Sequence, residues 1–215
     1  MEAAFWQERW RENRIAFHEF QPNPRLVDHV DALNLTGDQH VFVPLCGKTL
    51  DLDWLLAKGR TVTGVELNEG AVREVFERQS ITPDVEQVGP LKRYRFGALT
   101  VFVGDFFALT AEMTGSLDAI YDRAALVAMP ETMRADYAAH LSALSGFAPQ
   151  LLVTYDYDQS QMSGPPFSVP QAKIEAYYAS RYAIKQLDDR PISGPLAQRC
   201  QGREQTWLLT PMTAA

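Results

Sequence analysis

The sequence predicts a doubly wound α/β fold, a mostly parallel sheet with helices on both faces, on three observations. Residues 41–66 read strand, turn, helix, strand. Alternating apolar residues lead up to Pro44, and a Gly-containing turn follows at Cys46-Gly47-Lys48. Helical spacing then appears at Leu50, Leu52, Trp54, Leu55 and Leu56, before Gly59 and a β-branched run ending on Glu66. Two strands joined through one helix are parallel with a right-handed crossover, because a tight turn cannot connect parallel neighbours. The same strand and helix rhythm continues to residue 180, and two runs without a helix between them, 182–187 and 204–209, then close the sheet as an antiparallel edge.

Taken in order, residues 2–12 put Phe5, Trp6, Arg9 and Trp10 on one helical face, either as core anchors or as a lid over a pocket. Residues 15–19 are too short to assign. Pro22 and Pro24 precede a helix over 25–33 that turns Leu26, Val27, Val30 and Leu33 inward. Asn68 caps a helix reaching residue 79, with Val72, Val75 and Phe76 inward. Residues 93–103 form a hairpin turning at Gly97, and Gly104-Asp105-Phe106-Phe107 places a second acid at a strand end. A short strand over 117–121 is followed directly by Asp122-Arg123. Pro130 opens a helix to residue 144, and 151–155 is a strand. The proline-rich stretch 163–170 leads into a helix at 171–180.

At 215 residues one domain with a full core is expected. A net charge of -7 argues against sequence-independent binding to a nucleic-acid backbone and favours small-molecule partners. No apolar run approaches the roughly 18 residues that span a bilayer, and residues 1–13 lack a signal-peptide core, so no membrane association and a cytoplasmic location are expected. Cys46 and Cys200 make no disulfide framework. His18, His29, His40 and His140 are scattered, so no metal site is expected.

In this fold a nucleotide-like ligand sits above the carboxyl ends of the strands, with N–H groups of the first turn on one side and Glu66 on the other. A dinucleotide would need G-x-G-x-x-G, whereas this turn has Gly47 alone beside Leu45 and Cys46. S-adenosylmethionine fits better, having the adenosine but no pyrophosphate. Glu66 can then accept from both ribose hydroxyls, and Asp105 with Phe106 can meet the adenine. By spacing alone, Glu66 reads equally as a solvated residue at a strand end.

The strings VPLCGKTLDLDWLLAKGRTVTGVEL, YDRAALVAMP from Tyr121 and GPPFSVPQAKIEAYY from Gly164 resemble the thiopurine S-methyltransferase family. The likeness runs over nearly the whole chain and includes Trp6 and Trp10 as W-x3-W and the pair Phe17-His18. It implies a single class I methyltransferase domain over 1–215 with a seven-stranded sheet, residues 1–35 forming a helical lid, and a monomer. It also implies methyl transfer from S-adenosylmethionine to the sulfur of small aromatic or heterocyclic thiols, with related selenium or tellurium species as further targets. Trp10, Leu45, Glu66 and Arg123 fall on cofactor-contacting positions, Asp105 and Phe106 on the adenine-side segment, and Phe17 beside the substrate. Ala16, where Gly usually precedes Phe-His, and Ala124, where Gly is common after Asp-Arg in animal members, depart from the pattern near the pocket.

Methyl transfer from a sulfonium releases a neutral leaving group, so alignment of nucleophile, methyl and sulfur is the main task. Arg123 is the expected catalytic residue: its cation would favour the thiolate while touching the cofactor, and its plainer reading is an ion pair with Asp122. Trp10 and Phe17 would exclude water. His18 reads as a hydrogen-bonded structural histidine, Cys46 as a small buried group in the turn, and Lys48 as a solvating residue or a partner for the cofactor carboxylate. An NAD-linked oxidoreductase and a binding protein without turnover are the alternatives.

Overall fold

The computed structural model describes residues 3–15 and 18–212. Helix α1 (Ala3–Arg11) and the short helix α2 (Pro24–His29), which runs on into a 3-10 turn at Val30–Leu33, precede the first parallel unit. That unit is β1 (His40–Val43), α3 (Asp51–Ala57) and β2 (Thr61–Glu66). Helix α4 (Glu69–Arg78) leads to three strands in succession, β3 (Asp84–Val88), β4 (Leu91–Phe96) and β5 (Leu99–Val103). The short helix α5 (Ala111–Thr114), β6 (Ala119–Arg123), α6 (Glu131–Leu144), β7 (Gln150–Tyr157), α7 (Gln171–Tyr178), β8 (Tyr182–Pro191) and β9 (Gly202–Pro211) complete the chain.

The strands form one sheet in the order β3-β4-β5-β2-β1-β6-β7-β9-β8. Strands β5, β2, β1, β6 and β7 are parallel, while β3 and β4 at one edge and β9 and β8 at the other run antiparallel. Among the described residues nine strands therefore stand where seven were implied, because β3 and β4 extend the sheet past β5. Strand β3, with the sequence DVEQV and an exposed surface, is the element that periodicity does not reveal. Its place comes from pairing with β4, and its charges suit an edge open to solvent. The β4 to β5 hairpin turns at Gly97 as expected, with Phe96 opposite Leu99.

Side-chain alternation in the central strands builds two cores. Phe42, Val65, Ile120 and Leu152 face α6 and α7 through Tyr137, Leu141, Ile174 and Tyr178. Val41, Val43, Val62, Tyr121, Leu151 and Val153 face α2, α3 and α4 through Leu26, Leu52, Leu55, Val72 and Phe76. Asn68 caps α4 as expected, its side chain accepting the Ala71 N–H at 2.9 Å. Three expectations change at this level. Val27 is 45% exposed while its neighbour Arg25 is buried. Pro130 is the residue before α6 and not its first turn. The sixth strand runs to Arg123, so Asp122 and Arg123 lie in the strand and point to opposite sides of the sheet.

Candidate active site

The order of the strands turns their carboxyl ends into a ruler. Asp105 follows β5, Glu66 ends β2, Leu45 follows β1, Arg123 ends β6, and Tyr155, Glu204 and Arg190 are cross-strand partners on β7, β9 and β8. Neighbouring strands are about 4.8 Å apart, so the strands of Glu66 and Arg123 are separated by about 10 Å. From β1 the chain crosses to β2 through α3 and on to β5, then returns to the other side of β1 as β6 and continues to β7, so the strand order reverses at β1 and a crevice opens there. A cavity of about 830 Å³ fills that crevice, roofed by Trp6, Arg9 and Trp10 of α1.

The first turn is built around Glu66. Leu45 and Gly47 both take left-handed φ, +46° and +54°, and the Cys46 N–H returns to the Val65 carbonyl at 3.0 Å. The Gly47 N–H then donates to Glu66 Oε2 at 2.9 Å, and the Asn68 N–H to Oε1 at 2.8 Å. The turn's amide is thus committed to Glu66, where sequence reasoning had aimed it at the ligand. Only 7% exposed, Glu66 also receives the Trp10 indole N–H. Burial raises its pKa, and these donors offset part of that rise. Cys46 packs on Gly64, where a Cβ would stand 2.7 Å from its sulfur, and burial pushes its thiol far up, so the group is inert.

At the β5 end, Asp105 is exposed and accepts the Phe107 N–H at 3.0 Å, capping a 3-10 turn. Phe106 lines the cavity but is 2% exposed, its ring 4.9 Å from those of Tyr137 and His140. The half-buried Phe107 is the more open aromatic. Gly104, at φ +141°, holds a backbone conformation strained for an L side chain, and a Cβ there would push Leu91 Cδ2, 2.4 Å away, out of place.

The β6 end is organised by side chains. Arg123 has 9% of its side chain exposed and pairs with Glu19 at 2.5 Å, not with Asp122 as sequence proximity suggested. Burial works against its charge, but Glu19, Tyr121, Tyr155 and Asp51 raise its pKa overall. Asp122 faces the other side, accepting from the Leu126 N–H at 3.1 Å and the Tyr137 hydroxyl at 2.8 Å. Burial lifts it to about 6. Ala124 follows at φ +63°, a position suited to glycine. Beyond Arg123, Tyr155 hydrogen bonds Glu204, which Arg25 grips through two nitrogens at 3.1 and 2.7 Å.

Trp10, Leu45, Glu66, Asp105, Phe106 and Arg123 all line the one cavity, so the structure brings these six together. Phe17 and Ala16 lie outside the described residues. Lys48 is directed to Glu74 at 2.6 Å and lies 5.9 Å from the Trp10 ring centroid, away from the cavity lining. His18 packs edge-on against Phe20, its pKa lowered by burial. Sequence reasoning did not find Glu19, Arg25, Tyr155 or Glu204. Cross-strand pairing of 155 with 204 was beyond reach without the register. Glu19 had one signal, its place beside the Phe17-His18 pair.

Among the described residues no group of three or more His, Cys, Asp or Glu is placed to hold a metal ion, and no helix is long and apolar enough to cross a membrane. The model of the family described as thiopurine S-methyltransferase matches residues 1–210. A thiopurine S-methyltransferase of Gluconobacter oxydans is 46% identical over 210 residues, covering 98% of this chain and 96% of its own length. One of Teredinibacter turnerae is 48% identical, covering 98% of each chain. Among solved structures, an S-adenosylmethionine-dependent methyltransferase from Anabaena variabilis superposes with a TM-score of 0.65 at 12% identity, covering 98% of this chain and 95% of its own. A Burkholderia thailandensis 1,6-didemethyltoxoflavin-N1-methyltransferase, with S-adenosylhomocysteine bound, gives 0.62 at 16% identity, covering 97% and 87%. At those identities the likeness is one of fold.

Proposed function

We propose that this chain, which belongs to the thiopurine S-methyltransferase family, moves the methyl group of S-adenosylmethionine to the sulfur of small aromatic and heterocyclic thiols, thiopurines among them. It is an S-adenosylmethionine-dependent methyltransferase with a small-molecule acceptor. Bound at the crevice, the cofactor supplies a methyl group on a positively charged sulfur. The protein's own part is to hold, orient and dry the two reactants.

The observation that carries the reading is the fixed carboxylate of Glu66 facing the same cavity as Arg123, with their strands about 10 Å apart. Glu66, with each oxygen already held by one main-chain N–H, keeps further acceptor capacity for a vicinal diol such as a ribose. Asp105 and Phe106, with Phe107 beside them, would border the adenine, and Leu45 would lie under the sulfonium at the switch point. Arg123 is the catalytic group: its cation favours the thiolate form of an acceptor on the far side of the transferred carbon. Trp10, hydrogen bonded to Glu66, would exchange that bond for contact with the cofactor and close the roof, with Phe17 beside the acceptor. The lid in this reading is α1, since α2 is fixed to the core through Leu26 and to β9 through Arg25. We place the protein in the cytoplasm as a monomer, without nucleic-acid or membrane partners.

A dinucleotide is disfavoured by the same geometry: the Leu45 side chain faces the cavity and the Gly47 amide is spent on Glu66. The test is titration calorimetry with S-adenosylmethionine followed by turnover with a thiopurine, in which S-adenosylhomocysteine should appear in step with thiopurine loss. Cofactor binding without turnover on any thiol would leave a binding protein.

A further inference from the structure

Glu19 is a cavity carboxylate without a role in cofactor or acceptor binding so far. It lies in the segment joining α1 to α2, lines the cavity at the Arg123 end, and keeps 39% of its side chain exposed. Its Oε1 is 2.5 Å from Arg123, and the Asn23 amide donates to its two oxygens at 3.3 and 3.0 Å. Asn23 is itself locked, its own N–H donating to buried Asp51 at 2.7 Å. The carboxylate is therefore aimed, not loose. The other acids of the cavity are occupied: Glu66 by main-chain N–H groups at the cofactor end, Asp105 as a turn cap, Glu204 by Arg25 and Tyr155.

We propose that Glu19 is the proton acceptor for the incoming thiol, which widens the acceptor range from aromatic and heterocyclic thiols that ionise unaided to alkyl thiols that are protonated at neutral pH. The inference rests on the methyltransferase function proposed for this cavity. In the step, the S–H bond breaks as an O–H bond forms on Glu19. The sulfur lone pair, held beside Arg123, makes the new S–C bond, and the electron pair of the old C–S bond stays with the departing neutral sulfur. The proton then leaves Glu19 for water at the cavity mouth. A thiol of alkyl type has a pKa of about 8.5 and is mostly neutral at pH 7, so a base at hydrogen-bond range matters for it and little for an acidic heterocyclic thiol.

The surroundings suit a base that holds a proton briefly. Burial raises the Glu19 pKa, Arg123 and Asn23 lower it, and Asp51 of α3 and Glu204 of β9 raise it again. Tyr121 of β6 and Tyr155 of β7 face the same group and are themselves pushed up by burial, so neither competes for the proton as an anion.

The experiment compares wild type with Glu19→Gln at saturating S-adenosylmethionine, using a thiopurine and 2-mercaptoethanol over a range of pH. Glutamine keeps the hydrogen-bonding shape without the base. The expected loss in kcat/KM at pH 7 is a few-fold with the thiopurine and about 100-fold with the alkyl thiol, the order of general-base catalysis. The alkyl-thiol gap should close as pH passes the thiol's own pKa, and the rising limb that wild type shows as Glu19 ionises should be absent from the variant. Turnover of the thiopurine by the variant doubles as evidence that it is folded. An equal loss on both thiols, no loss, or a wild type that methylates the thiopurine and no alkyl thiol would overturn the inference alone. Inactivity of wild type on both would remove the methyltransferase reading with it.

Discussion

The two ends of the cavity are made of different materials. At the β5, β2 and β1 end, each acid is set by main-chain N–H groups: Gly47 and Asn68 on Glu66, Phe107 on Asp105. At the β6, β7 and β9 end, side chain meets side chain: Glu19 on Arg123, Asn23 on Glu19, Arg25 on Glu204, Glu204 on Tyr155. Main-chain donors move only if the backbone does, so the first end suits a ligand that never changes. A network of long side chains can be re-spaced by single substitutions, so the second end suits an acceptor that varies between relatives.

The largest effect that would break this division is at Arg123. Replacing it by methionine should cost about 2.7–4 kcal/mol in kcat/KM for a thiol, the scale of losing a donor aimed at developing charge. Cofactor affinity, measured by calorimetry, should fall by much less. Equal losses in both would assign Arg123 to the cofactor end.

The buried carboxylates at the two ends offer a second contrast. Glu66 turns spare acceptor sites to the cavity, whereas Asp122 satisfies Leu126 and Tyr137 and holds the chain as it leaves Arg123. Asp122 is raised from 3.8 to about 6, so the folded protein keeps a proton that the unfolded chain releases. Its contribution to stability is fully present below about pH 4 and is lost as pH rises through about 6. A rise from 3.8 to about 6 corresponds to about 3 kcal/mol. In Asp122→Asn the group cannot ionise, so the difference between the two proteins in urea unfolding should move by about that amount in favour of the variant from about pH 4 to about pH 7.5. A difference that stays flat with pH would show that Asp122 is solvated. Glu66→Ala tests the other carboxylate and should weaken S-adenosylmethionine by about 1–3 kcal/mol, the cost of losing buried hydrogen bonds. Unchanged affinity would strip Glu66 of its role.

This difference between the ends also explains what the sequence disclosed. Glu66 and its turn sit within one strand-turn-helix-strand unit, where the 2.0 and 3.6 residue periods fix geometry locally, so the strand end carrying Glu66 and the crevice above it could be read from spacing, while Leu45 as a cofactor contact came with the family resemblance. The Arg123 end assembles residues 19, 25, 123, 155 and 204, joined only by the register of β7 on β9 and by the path of the α1 to α2 segment. Arg123 itself was found, and its partner was misassigned to Asp122, because adjacent residues of a strand face opposite sides once the strand is seen to include both. Strand β3 was missed for a similar reason. Its exposed faces carry no alternation, and its position is dictated by β4.

The smallest effect concerns the backbone that both ends share. Leu45 after β1 and Ala124 after β6 both take left-handed φ, +46° and +63°, on the two central strands flanking the crevice. For an L residue that conformation costs about 1 kcal/mol or more, and glycine avoids it at the expense of a more disordered unfolded chain, by about 0.5–1 kcal/mol. Ala124→Gly should therefore be neutral or stabilising by less than about 1 kcal/mol, raising the unfolding midpoint by up to about 3 °C. Leu45→Gly would gain the same relief but strip a half-buried side chain from the cavity wall, so its sign should be the opposite. A destabilised Ala124→Gly would mean that the Ala124 methyl packs against the acceptor end strongly enough to outweigh its backbone, and would make that methyl a part of the acceptor wall.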